Sequence, residues 1–200
     1  MQRKMWMSLC AAVLLVLGAM LGMAGRASAA EAPPRMRNAG YIWRIDADDV
    51  RGLPRNFRTM EDEFHAPYKK DMDDSYVPTR EGLERLHASG SGEFSASGLQ
   101  SLMEALAEKT QMPICIVDLR EESHGFFDGI AVSWYGEHDW GNVGLTQEEA
   151  LADEAERIHG AAGQMTAVAH LGGEKNPLDE HEIFVEEAQT EKELVEGAGL

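Results

Sequence analysis

Apolar and polar positions recur with two different periods along the chain. Tyr41–Asp46, "YIWRID", alternates as a short strand does when one face meets a core. "SASGLQSLMEALAEKT" puts Leu99, Leu102, Met103 and Leu106 at helical spacing, with Ser95 or Ser97 placed to accept the first free N–H groups. "LTQEEALADEAERIHGAAG" predicts another helix: Thr146 and Glu149 make a capping box, Ala150, Leu151, Ala155 and Ile158 face inward, and glycine closes it. "TEKELVEGAGL" starts a further helix on a second capping box, Thr190 with Glu193. "TREGLERLHASGSG" reads as a short helix capped by Thr79, with Leu83 and Leu86 on one face. β-branched and apolar runs predict strands at "MPICIVDL", expected to be buried, and at "GIAVSWY", "MTAVAHL" and "EIFVEEA". Glu61–Pro78 is polar, holds two prolines and reads as irregular. Strands alternating with helices favour an α/β layer fold.

The two ends depart from this pattern. Arg3 and Lys4, the apolar run from Ala11 to Met20 and the small residues Ala27–Ala29 have the layout of a secretory signal cut after Ala29 or Ala30. An uncleaved anchor is the alternative, since a spanning helix needs ~20 apolar residues. Residues 31–40 read as a flexible lead-in. At the other end "VEGAGL" reaches a helix-closing glycine where an αβ connection would enter its next strand, so the chain reads as the front part of a longer design.

Charge then narrows the partners. The formal net charge of −17 falls to −20 once residues 1–30, which hold Arg3, Lys4 and Arg26 and no acid, are removed. That disfavours nucleic acid and anionic membrane surfaces, and leaves an exported, periplasmic or secreted protein with no membrane association after cleavage. Cys115 becomes the only thiol, so no internal disulfide forms. About 170 residues suffice for one domain with a core.

"PICIVDLREE" poses the one nucleophile question. A cysteine phosphatase needs a thiolate, a nest of backbone N–H groups and an arginine gripping the phosphate, with five residues between Cys and Arg. Cys115 and Arg120 have four between them, Ile, Val, Asp and Leu, and alternation places the thiol inside the strand as a small hydrophobe. No G-x-S-x-G, no H-E-x-x-H or H-x-H pattern and no glycine-rich nucleotide loop occurs, so no metal or other cofactor is expected.

"WRID", "LPRNFRTM", "YVPTREGLERLHASGS", "VDLREESHGFFDGIAVSWYGEHDWGN" and "QTEKELVEGAG" together resemble the front half of the bacterial protein-tyrosine-phosphatase-like inositol polyphosphate phosphatases, the cysteine phytases. The resemblance runs from about Tyr41 to the last residue. It implies an exported enzyme that removes phosphates from myo-inositol polyphosphates, and an incomplete phosphatase-type three-layer α/β domain beside a small β-barrel-like domain. The division it suggests is 41–120 for the front of the phosphatase domain, 121–188 for the β-rich domain and 189–200 for the start of the remaining core. The family's H-C-x5-R loop and general-acid aspartate lie beyond the matching segments, so these 200 residues are expected to be inactive alone. The resemblance carries over substrate contacts at Arg44, Asp139 and Lys175, on the rim of the pocket. Arg55, Arg58 and Arg120 read as structural ion-pair partners, and Trp134, Tyr135 and Trp140 as packing at a domain junction. The alternative is a non-catalytic exported protein that binds inositol phosphates or a partner.

Overall fold

The computed structural model describes residues 40–63, 79–136, 141–170 and 178–200. Its strands are β1 (Ile42–Ala47), β2 (Arg58–Thr59), β3 (Ser89–Gly90), β4 (His124–Phe127), β5 (Ile130–Tyr135), β6 (Met165–Ala169), β7 (His181–Phe184) and β8 (Ala188–Thr190). Its α-helices are α1 (Ala96–Ala107), α2 (Gln147–His159) and α3 (Glu191–Gly197). Six strands form one mixed sheet in the order β7-β6-β1-β5-β4-β8, and β2 pairs with β3 apart from it. β1 runs parallel to β6, and the other neighbours in the sheet are antiparallel.

The helix starts follow their capping chemistry. Ser95 accepts the Gly98 N–H, and both threonine–glutamate capping boxes form, at Thr146 with Glu149 and at Thr190 with Glu193. The β4–β5 hairpin turns on Asp128 and Gly129, with φ of 50° and 86°. Both central residues of such a two-residue turn need positive φ, which Asp-Gly supplies most readily. The Asp128 carboxylate also accepts N–H groups of Glu186 and Glu187, tying the hairpin to the link between β7 and β8.

Apolar side chains cover both faces of the sheet. On one, Trp43, Ile45, Phe127 and Val132 pack with Ile158 of α2 and with Val168 and Val185. The other core joins Phe126 and Ala131 to Phe94, Leu99 and Leu102, with Leu194 and Val195 of α3 against them. Burying each such Leu or Phe side chain contributes roughly 1.5–3 kcal/mol, so these two clusters fix the helices to the sheet. The α/β fold class is therefore as the sequence predicts.

Three local expectations fail. Residues 113–120 form no strand, and Cys115 is exposed together with Val117 and Leu119, while Ile114 and Ile116 are partly buried. Alternation is present, but only the isoleucine side finds a core; among the described residues no strand pairs with this segment. Leu151 is also exposed, because the buried arc of α2 runs through Asp153, Ala150 and Ile158 and leaves Leu151 at its margin. The expected helix after Thr79 is a single 3₁₀ turn at Leu83–Arg85, entered from Gly82 in the left-handed region at φ 87°. Leu86 there is exposed, so no buried stripe sustains a longer helix.

Gly125 of β4 has no room for a side chain. A Cβ would stand 2.5 Å from the Gln189 carbonyl oxygen and 2.9 Å from Ile158 Cδ1. Gly125→Ala is expected to lower stability by about 1–3 kcal/mol in urea denaturation, the cost of forcing atoms into a packed site. Gly197→Ala, where a Cβ meets nothing within 4 Å, is expected to leave the midpoint unchanged or raise it.

Candidate functional site

Strand register sets out the polar residues of one sheet face. Arg44 of β1 and His124 of β4 both pair with Ser133 of β5, so the three form a row across the sheet. The same face carries the Phe126–Ala131 pair that anchors the second core. Beside it lies a groove of about 360 Å³, lined by Phe94, Leu102 and Leu106, by residues 114–120, and by the carboxyl side chains Glu93 and Glu191.

Arg120 ends the extended segment inside a cage of carboxylates. Its Nη1 donates to Glu93 Oε2 at 2.7 Å, and its Nη2 to Asp46 Oδ2 at 2.8 Å and to Glu122 Oε1 at 2.6 Å. Arg44 shares two of these acids: its Nε donates to Asp46 Oδ1 at 2.6 Å and its Nη2 to Glu122 Oε1 at 3.2 Å. The Arg44 guanidinium also sits 4.8 Å from the centre of the Tyr135 ring. Burial disfavours the Arg120 charge, but Asp46, Glu93 and Glu122 outweigh it and raise the guanidinium pKa. For Glu122, burial pushes the pKa up, but the hydrogen bond and charge of Arg120 prevail and hold it at about 2. Glu93 goes the other way: burial raises its pKa, and Arg120 only partly offsets that.

His124 forms a second cluster next to the first. Its Nδ1 lies 2.8 Å from the Glu122 carbonyl oxygen, which can only accept, so Nδ1 carries a hydrogen. Its Nε2 lies 3.1 Å from Glu191 Oε2 and 3.5 Å from Asp118 Oδ2. Glu154 accepts the His124 backbone N–H at 3.0 Å. Burial lowers the imidazole pKa, but the hydrogen bonds to Glu191 and to the Glu122 carbonyl overcome it and raise the value to about 9.

This geometry decides what the expected site residues can do. Arg120 is an ion-pair residue, as the sequence suggested, and its three carboxylate partners leave it unable to grip a phosphate beside Cys115. The Cys115 Sγ is 3.6 Å from its neighbour's carbonyl at Ile116, on an extended segment that makes no nest of N–H groups. The thiol is therefore not the nucleophile of a phosphatase loop, although the reason is not the burial expected of it. Arg44 reaches the surface of the sheet but is shared between Asp46 and Glu122, so a phosphate would have to displace one of them. Asp139 and Lys175 lie outside the described residues, as does Trp140. Trp134 stacks with Tyr41 at 5.8 Å and carries the Arg157 guanidinium 5.1 Å from its ring centre. Asp46, Glu93, Glu122 and His124 were not singled out from the sequence. The signal for the first was present in "WRID", where Arg44 and Asp46 must share a strand face.

The fold is similar to that of protein-tyrosine-phosphatase-like phytases, over a portion of their length. The chain is 46% identical to the tandemly repeated phytase of this type from Mitsuokella multacida, with a TM-score of 0.75 over 80% of this chain and 28% of that one. It is 45% identical, with a TM-score of 0.72 and the same coverage, to the myo-inositol phosphatase from that organism solved in complex with myo-inositol-(1,3,4,5)-tetrakisphosphate. The phytase from Bdellovibrio bacteriovorus shares the fold at 24% identity and a TM-score of 0.52, over 80% of this chain and 48% of that one. In sequence, the chain is 28% identical over 174 residues to the effector protein hopD2 of Pseudomonas syringae pv. tomato, covering 84% of this chain and 35% of that protein. No protein-family model matches. The chain thus bears out the family resemblance while spanning 28% to 48% of these relatives' lengths.

Removing the Arg120 charge would leave buried carboxylates facing one another. Arg120→Met is expected to cost about 3–5 kcal/mol in urea unfolding, and Arg120→Lys to recover only part, because one ammonium cannot span three acceptors. The Glu122 carboxyl has a folded pKa of about 2 against an ordinary 4.5, so the native state binds fewer protons there. Its contribution is complete above that ordinary value and lost as pH falls towards 2. The stability gap between wild type and Glu122→Gln is therefore expected to close between pH 5 and pH 2 in paired denaturation curves, whereas a gap constant with pH would contradict the assignment.

Proposed function

We propose that the chain is the leading portion of an exported cysteine-dependent phosphatase that hydrolyses phosphomonoesters of myo-inositol polyphosphates, phytate among them. The observation that carries this reading is the 46% identity to a Mitsuokella multacida phytase of this type over 80% of the chain, with the sheet and helices superposing at a TM-score of 0.75. The relative solved with an inositol tetrakisphosphate supports the substrate class. The basic start, apolar run and Ala27–Ala29 support export.

Within that reading the chain contributes recognition and the nucleophile comes from elsewhere. Attack on phosphorus needs an H-C-x5-R loop, in which a thiolate forms a cysteinyl phosphate while backbone N–H groups and the arginine hold the equatorial oxygens. These 200 residues contain no such sequence. Arg44 is the described residue suited to the rim: it is paired but not sealed, with a side chain 21% exposed, and a substrate phosphate can take over donors now spent on Glu122 at 3.2 Å. Asp139 and Lys175 would add a hydroxyl acceptor and a point charge. The excess of acid opposes a polyphosphate only weakly at a distance, since salt screens charges beyond ~8 Å.

Phosphate release from phytate by the 200-residue chain is expected to stay at background. Calorimetry with myo-inositol-(1,3,4,5)-tetrakisphosphate is expected to show weak binding that Arg44→Ala reduces several-fold. Turnover by this chain that disappears in Cys115→Ser would overturn the division of labour. A folded chain with no affinity at all for the tetrakisphosphate would remove the recognition role.

A further inference from the structure

We propose that Glu93, His124 and Glu191, with Asp118 on the open side, form a binding site for one divalent transition-metal cation, zinc by the nature of the donors. Each of the first three offers a ligand atom, and these atoms lie within 4.8 Å of one another. Zinc holds nitrogen and oxygen at about 2.0–2.2 Å, so the edges of its tetrahedron are about 3.3–3.5 Å long. The separation of His124 Nε2 from Asp118 Oδ2, 3.5 Å, is already of that length, and that from Glu191 Oε2, 3.1 Å, is slightly shorter. Only Glu93 has to draw in.

Two features are independent of the clustering. Glu93 Oε1 is buried and has no hydrogen-bond partner, while its Oε2 is held by Arg120. The Glu93 side chain is only 10% exposed, and it lines the groove beside Glu191. A carboxylate oxygen withdrawn from water without a donor is costly, and a bound cation satisfies it directly. In addition, the Nδ1–H of His124 is committed to the Glu122 carbonyl. That contact fixes the ring and leaves Nε2 as the atom that coordinates once a cation displaces the proton it shares with Glu191, the outer-shell arrangement that orients metal-binding histidines. The charges agree: Glu93, Asp118, Glu154 and Glu191 surround His124, and Arg120 is the cation paired among them. Imidazole with carboxylates suits zinc better than magnesium, which prefers all-oxygen shells with retained water. The site does not depend on the phosphatase reading, and its test is silent on that reading.

The test is calorimetric titration of the chelator-treated 200-residue chain with zinc chloride, and in parallel with magnesium chloride. One zinc per chain with micromolar or tighter affinity is expected, and magnesium heat at background. Glu93→Gln and Glu191→Gln are each expected to weaken binding by about tenfold or more, while Cys115→Ser and Glu108→Gln leave it unchanged. Cobalt in place of zinc is expected to give the visible absorption of a low-coordinate site. Should a variant fail to fold by circular dichroism, the wild-type melting temperature decides: a zinc-dependent rise supports the site, and no shift at saturating zinc overturns it. Absent saturable binding in a folded chain, or binding indifferent to both glutamate variants, also overturns it.

Discussion

The burial of Arg120 among Asp46, Glu93 and Glu122 constrains the rest of the structure. These acids come from β1, from the approach to α1 and from the approach to β4, so one guanidinium joins segments up to 74 residues apart. An arginine fits this place because its planar fork offers donors in several directions at once and stays charged when desolvated. By holding Arg120 down, the cage also sets the path of residues 113–119. Ile116 packs against the second core and Ile114 is half-buried, whereas Cys115, Val117 and Leu119 are exposed. The same contacts that place the segment consume the donors that a phosphate would need.

Much of the fold was legible because it depends on local chemistry. β1, β5 and β6 announced themselves by alternation or β-branched runs, and α1, α2 and α3 by serine or threonine caps with apolar residues at helical spacing. β4 and β8 escaped because Gly125 weakens the strand signal of "HGFF" and "AQT" is only three residues long. Residues 113–119 misled for a physical reason. Their composition is that of a strand covered on both faces, and a sequence cannot say whether the second cover is present. The candidate site was legible only as charge. Asp46, Glu93, Glu122 and His124 come from β1, the approach to α1, the approach to β4 and β4 itself, which no short window contains.

The proposed function turns on the same balance. With a net charge of −17, the proposed recognition of a polyphosphate would have to rest on few, well-placed cations. Arg120 is spent internally, and Arg44 is held loosely enough to be shared. Two further charged groups, Asp139 and Lys175, were identified by resemblance rather than by geometry, and they lie outside the described residues. Within the matched portion the sheet and helices are similar to those of the Mitsuokella multacida phytases.

The most direct measurement is a crystal structure of the chain soaked with tungstate, a phosphate mimic that marks thiolate–arginine anion sites. The account predicts Arg120 still bound to Asp46, Glu93 and Glu122, with no tungstate between it and Cys115. Tungstate density bridging the Cys115 sulfur and a released Arg120 guanidinium would contradict it.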